Sequence, residues 1–117
     1  MNKTLRLENQ EQLEQILQRS EENHILLFKH STRCPISERA YGQLNQFIQR
    51  EEAKQVEVAL VYVVEDRALS NEIASRFEVK HESPQALLIH KNDVIWHTSH
   101  GNITDENLAN VVKKMIG

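Results

Sequence analysis

HILLFKHSTRCPIS, residues 24–37, joins an apolar run to the only cysteine in the chain and then to a proline. HILLFKH (24–30) is short, apolar and bounded by polar residues, which is the composition of a buried strand. Pro35 suits the first position of a helix, because an N–H there would have no intrahelical acceptor to lose. Ile36, Ala40, Leu44 and Ile48, with Phe47 beside them, then recur every three or four residues, as the buried stripe of a helix does. The stretch reads as strand, short loop and helix, with Cys34 at the junction.

The same alternation continues on both sides. TLRL (4–7) reads as a short strand, and Asn9 as the cap of a helix that carries Leu13, Ile16 and Leu17 on one face. VEVALVYVV (56–64) is β-branched and almost unbroken, a central strand covered on both faces. Asp66 caps the next helix, whose Leu69, Ile73 and Phe77 face inward. ALLIH (86–90) and VIWHT (94–98) flank Lys91, Asn92 and Asp93, a tight connection for an antiparallel hairpin. Thr104 begins a last helix with Asp105 and Glu106 in its first turn and Lys113 and Lys114 in its last, the order that suits a helix dipole. The sum is β-α-β-α-β-α-β-β-α: an α/β chain with a mixed central sheet flanked by helices on both faces.

At 117 residues the length suits one domain, residues 1–117, able to bury a core without disulfides or metal. A net charge of −3, with acids and bases interspersed, makes no case for nucleic acid or an anionic membrane as partner. No apolar run reaches membrane-spanning length, and MNKTLRLENQ lacks the apolar core of a signal peptide. One cysteine cannot form an internal disulfide, which agrees with a reducing, cytoplasmic location.

Cys34 falls where the first N–H groups of a helix lack intrahelical acceptors and where the helix dipole is positive. Both features favour a thiolate, and Arg33 adds a neighbouring positive charge. Ser37, three residues on, is placed for its hydroxyl or N–H to reach the sulfur. A lone cysteine is more often a small core hydrophobe. Here the neighbours are Arg, Pro and Ser in a strand-to-helix loop, a poor setting for filler, so Cys34 is the candidate nucleophile. His30 could act as its base, although packing at the strand end is the commoner role for such a residue. In SPQALLI (83–89), Pro84 precedes a strand, where it could simply start that strand. A cis Ser83–Pro84 bond that leaves backbone groups free for an extended substrate is the functional alternative. His90, His97 and His100 invite a zinc reading, but no second cysteine or clear carboxylate completes a set.

The pattern resembles the thioredoxin fold, with serine at the second cysteine position of Cys-x-x-Cys. More specifically, KHSTRCPIS with HESPQALLIHKNDVIWHTSHGNIT resembles the monothiol bacilliredoxins, the YtxJ-type proteins of the bacillithiol system, over nearly the full length. The resemblance implies a thioredoxin-like fold, a cis Pro84 and removal of bacillithiol from protein mixed disulfides. Cys34 would attack, and Thr32, Arg33, Pro35, Ile36, Ser37, Ser83 and Pro84 would line the substrate site. No cofactor is implied beyond bacillithiol, a low-molecular-weight thiol, as co-substrate. The partners would be bacillithiolated client proteins and an external resolving thiol or dithiol protein, because serine cannot complete the exchange internally. Two other readings stay open. Monothiol glutaredoxins, which carry an iron–sulfur cluster, share a Cys-x-x-Ser motif but have Gly-Phe where Pro-Ile stands here. A redox-inactive adaptor would retain the fold with an inert Cys34.

Overall fold

The computed structural model describes residues 4–116. The chain runs through β1 (Thr4–Arg6), α1 (Gln10–Arg19), β2 (His24–His30), α2 (Pro35–Ile48), a 3₁₀ turn (Glu51–Gln55) and β3 (Val56–Tyr62). It continues through α3 (Arg67–Phe77), β4 (Gln85–His90), β5 (Asp93–Ser99), a second 3₁₀ turn (His100–Asn102) and α4 (Asp105–Met115). Residues 1–3 and 117 lie outside this description.

The five strands form one sheet in the order β1-β3-β2-β4-β5. β1 and β2 run parallel to β3, whereas β4 is antiparallel to β2 and β5 antiparallel to β4. Parallel neighbours need a crossover, supplied here by helices; the antiparallel β4–β5 pair needs only a turn. That turn is the two residues Lys91 and Asn92, both at positive φ (52° and 61°), the backbone that matches strand twist in a tight hairpin. Asp93, expected in the connection, instead pairs with His90 as the first residue of β5.

Alternation along the strands produces two cores. Leu26 and Phe28 of β2, with Val58 and Leu60 of β3, pack under α2 and α4 through Leu44, Phe47, Leu108 and Val112. Their neighbours Ile25, Leu27, Ala59 and Val61 face the other way, onto Leu13, Ile16 and Leu17 of α1 and Leu69 and Ile73 of α3. Helices therefore cover both faces, as the unbroken apolar strands require. No described helix is long and apolar enough to cross a membrane.

Caps form largely where expected. Asn9 accepts a hydrogen bond from the Gln12 N–H (2.9 Å) and Thr104 from the Asn107 N–H (3.0 Å). Asp66 occupies the N-cap of α3 without a side-chain capping bond; its carboxylate turns to Arg6, 3.1 Å away. Ile36 departs from the expected buried stripe of α2. It is 54% exposed, because the first turn of that helix borders an open groove at the end of the sheet.

Candidate active site

β2 ends at His30, and Ser31 to Arg33 carry the chain to Cys34, the N-cap of α2, with Pro35 as the first helical residue. Cys34 is half-buried, between exposed Thr32 and Arg33 on one side and exposed Pro35 and Ile36 on the other. Its backbone is extended, and its side chain makes no capping hydrogen bond. The Glu38 N–H donates to the Cys34 carbonyl at 3.0 Å, closing the first turn. The N–H groups of Ile36 and Ser37 have no hydrogen-bond acceptor among the described residues. They are the unpaired amides that a helix start supplies, facing the N-cap position.

The hydroxyl alternative expected for Ser37 is corrected by its geometry. It is fully buried, and its Oγ accepts from the Ser31 N–H (2.9 Å) and meets His30 Nδ1 at 2.7 Å. The hydroxyl makes no hydrogen bond to the sulfur; it fastens the loop to the end of β2 and forms the floor of the site, while the Ser37 N–H stays unpaired at the helix start. His30 is buried too, stacked on Tyr41 with ring centroids 4.6 Å apart, and its Nε2 lies 3.4 Å from Glu38 Oε1. With the Ser31 N–H already donating to Ser37 Oγ, the serine hydroxyl can give its hydrogen to Nδ1. That pattern assigns the His30 proton to Nε2, facing Glu38. Burial lowers the His30 pKa and Glu38 opposes the shift. Both ring nitrogens are engaged away from Cys34, so His30 is a packing residue of the strand end.

Ser83 and Pro84 approach from the neighbouring strand. Lys29 of β2 stands opposite Gln85 of β4, the last pair of that ladder, so Ser83 and Pro84 enter β4 at the end of the sheet where β2 leaves it for Cys34. The Ser83–Pro84 bond is cis, as the resemblance implies. The Pro84 carbonyl accepts from the His100 N–H at 3.0 Å, tying this segment to the end of β5. The backbone N–H and C=O of Ser83 have no partner among the described residues. Thr32, Arg33, Cys34, Pro35, Ile36, Ser83 and Pro84 thus share one end of the central strands, with Ser37 beneath them.

Two features were not read from the sequence. Behind the site, Lys29 is fully buried with no carboxylate partner among the described residues; its Nζ donates to the Ser70 carbonyl (3.0 Å) and meets His81 Nδ1 at 3.2 Å. Burial pushes its pKa down to about 8. A lysine inside a strand that otherwise reads as fully apolar was the available signal. In front, a groove of about 600 Å³ opens beside Cys34 between Pro35, Ile36, Arg39 and Gln43 of α2 and His100 and Thr104 opposite. Pro35, Arg39 and Gln43 recur every four residues, so they lie along one helix face. The zinc-suspect histidines do not converge: His90 stacks on His24 at one end of the hairpin, and His100 pairs with Glu82 at the other. His97 lies mid-strand opposite Leu87.

A mixed sheet of this order, with a solvent-reachable cysteine at the N-cap of the helix after its first central strand and a cis-proline just before the adjoining strand, defines a thioredoxin-fold thiol protein. Solved structures agree. A protein described as a candidate oxidoreductase with a thioredoxin fold is 34% identical, superposes with a TM-score of 0.80 and matches 92% of this chain and 91% of its own. Thioredoxins from Malassezia sympodialis (10% identity, TM-score 0.81, 100% and 94% covered) and Trypanosoma brucei brucei (17%, 0.76, 97% and 91%) share the fold. Residues 5–108 match the monothiol bacilliredoxin family, BrxC, and the chain belongs to that family. Membership in this thioredoxin-fold family carries a thiol redox role.

Proposed function

We propose that the protein removes bacillithiol from protein mixed disulfides by monothiol exchange at Cys34, in the cytoplasm. The Cys34 thiolate attacks the bacillithiol sulfur of a client–S–S–bacillithiol disulfide. The new bond is Cys34–S–S–bacillithiol, the old disulfide breaks, and the client leaves as its thiolate, so oxidation state is conserved overall. Negative charge moving on or off Cys34 meets the unpaired amides of Ile36 and Ser37. The unpartnered N–H and C=O of Ser83 offer a client segment an edge to hydrogen-bond. A second bacillithiol, or a dithiol protein, then attacks the adduct and frees Cys34.

The observation that carries this reading is the pairing of a reachable, unbonded Cys34 with a Ser37 that is locked inside. An internal thiol that could expel bacillithiol is missing, and the residue in its place is committed to the loop. Intact mass spectrometry after mixing with oxidised bacillithiol is the test. One adduct on Cys34 is expected, and none on Cys34→Ser. An equal or faster reaction with glutathione disulfide would count against bacillithiol as the co-substrate.

A further inference from the structure

Charge around the groove beside Cys34 is arranged asymmetrically. Three acids near it have partners: Glu38 faces His30 Nε2, Glu82 Oε2 lies 3.3 Å from His100 Nδ1, and Asp105 takes the Arg50 guanidinium at 2.6 and 2.9 Å. Arg6, Arg19, Arg50 and Arg76 each pair with a carboxylate. Arg39, which lines the groove, pairs with none among the described residues, nor does Arg33 next to the sulfur. Arg67 is also unpaired, but it sits in a different groove beside Glu8, Glu65, Asp66 and Glu72. Gln43 Oε1 accepts from the Asp105 N–H (2.8 Å), which leaves the side-chain amide N–H groups of Gln43 as donors. The groove lining therefore presents a guanidinium and amide donors and contains no carboxylate.

We infer that this groove binds the carboxylate-bearing part of the small thiol while its sulfur is joined to Cys34, with Arg39 as the specificity-determining residue. The inference rests on the exchange chemistry proposed above and adds what the site recognises. Arg39 follows Cys34 by five residues, about 7.5 Å along the helix axis. That separation suits a molecule whose acid groups lie several bonds from its sulfur. The groove volume of about 600 Å³ falls within the range of small-molecule sites. A guanidinium also holds carboxylates in a fixed two-point geometry. An extended client segment is better served by the unpaired backbone of Ser83, so the small thiol is the favoured occupant.

The test is a ratio of rates. Full-length protein is mixed with oxidised bacillithiol, which is anionic, and separately with cystamine, a disulfide of similar chemistry carrying only positive charge. Adduct formation on Cys34 is timed by intact mass for wild type, Arg39→Gln and Arg39→Glu. The ratio of anionic to cationic rate should fall about tenfold in Arg39→Gln and further in Arg39→Glu, with the wild-type excess shrinking as salt is raised. Taking a ratio cancels any change in the reactivity of the sulfur itself. An unchanged ratio overturns the groove assignment while leaving exchange at Cys34 intact; no adduct from either disulfide sinks the exchange reading instead. A loss seen only with a bacillithiolated client protein, and not with oxidised bacillithiol, would mean that Arg39 reads the client, and would also overturn the inference.

Discussion

The two ends of the CPIS turn lie three residues apart and in opposite surroundings. Cys34 is reachable, carries no side-chain hydrogen bond and is bordered by exposed residues. Ser37 is fully buried and joins Ser31 to His30, with Lys29 buried behind on the other face of the sheet. A helix start explains the difference. Its N-cap lies past the end of the central strand, whereas its third residue turns back onto the strand it followed. The outer end is left free for chemistry and the inner end spends its polar groups on holding the loop.

Removing the inner hydroxyl should break the comparison most. Ser37→Ala leaves the Ser31 N–H and His30 Nδ1 without a buried partner, and we expect about 2 kcal/mol of lost stability in a denaturant titration. Adduct formation at Cys34 should survive in the folded fraction. A neutral effect on stability would mean that the serine pins nothing.

Lys29 sharpens the contrast from behind. Its pKa falls from 10.5 in the unfolded chain to about 8. Between pH 8 and 10.5 the unfolded chain keeps the proton that the folded chain has released, so stability rises with pH through that window. Below pH 8 the buried ammonium costs on the order of 3 kcal/mol, partly offset by its bonds to Ser70 and His81. Lys29→Met should therefore be more stable than wild type by about 1–2 kcal/mol at neutral pH and lose the alkaline rise. Chemical denaturation at pH 7 and pH 10 decides it; a variant destabilised at both would show that the ammonium bonds dominate.

The smallest effect belongs to Glu38, whose carboxylate is mostly exposed. The His30 pKa lies below its unfolded value, so the unfolded chain takes the proton first as pH drops past 6.5, and stability falls on acidification. Glu38 opposes that shift. Glu38→Gln should steepen the acid loss by no more than about 0.5 kcal/mol, visible as a lower thermal midpoint at pH 5.5 and no change at pH 8. A large effect at pH 8 would point to a structural role for the carboxylate.

Much of this was legible because local chemistry and tertiary position agree. Unbroken apolar strands, Asn9, Thr104 and the Cys34–Pro35 junction each announce their place. The cis form of Ser83–Pro84 was not legible from spacing, since an ordinary strand-opening proline reads the same; only family resemblance pointed to it. Ile36 misled because its spacing fits the α2 stripe, while burial depends on whether anything lies opposite the first turn, and there the groove does. Ser37 misled for a related reason: the sequence places it near Cys34 but does not reveal which way its hydroxyl turns. Lys29 and Arg39 gave signals of opposite kinds, a charge inside an apolar run and a charge on an otherwise ordinary helix face. Only the fold shows that the first is sealed off and that the second has no acid partner among the described residues.

The central claim is that Cys34 exchanges alone, with no internal group able to finish the reaction. It is tested by isolating the Cys34–bacillithiol adduct, removing all free thiol and following intact mass over time for wild type and Ser37→Cys. Wild type should hold its adduct indefinitely, while Ser37→Cys, with a thiol three residues away on the same turn, should expel bacillithiol and close an internal disulfide. A wild-type adduct that disappears unaided, as fast as in Ser37→Cys, would contradict the account.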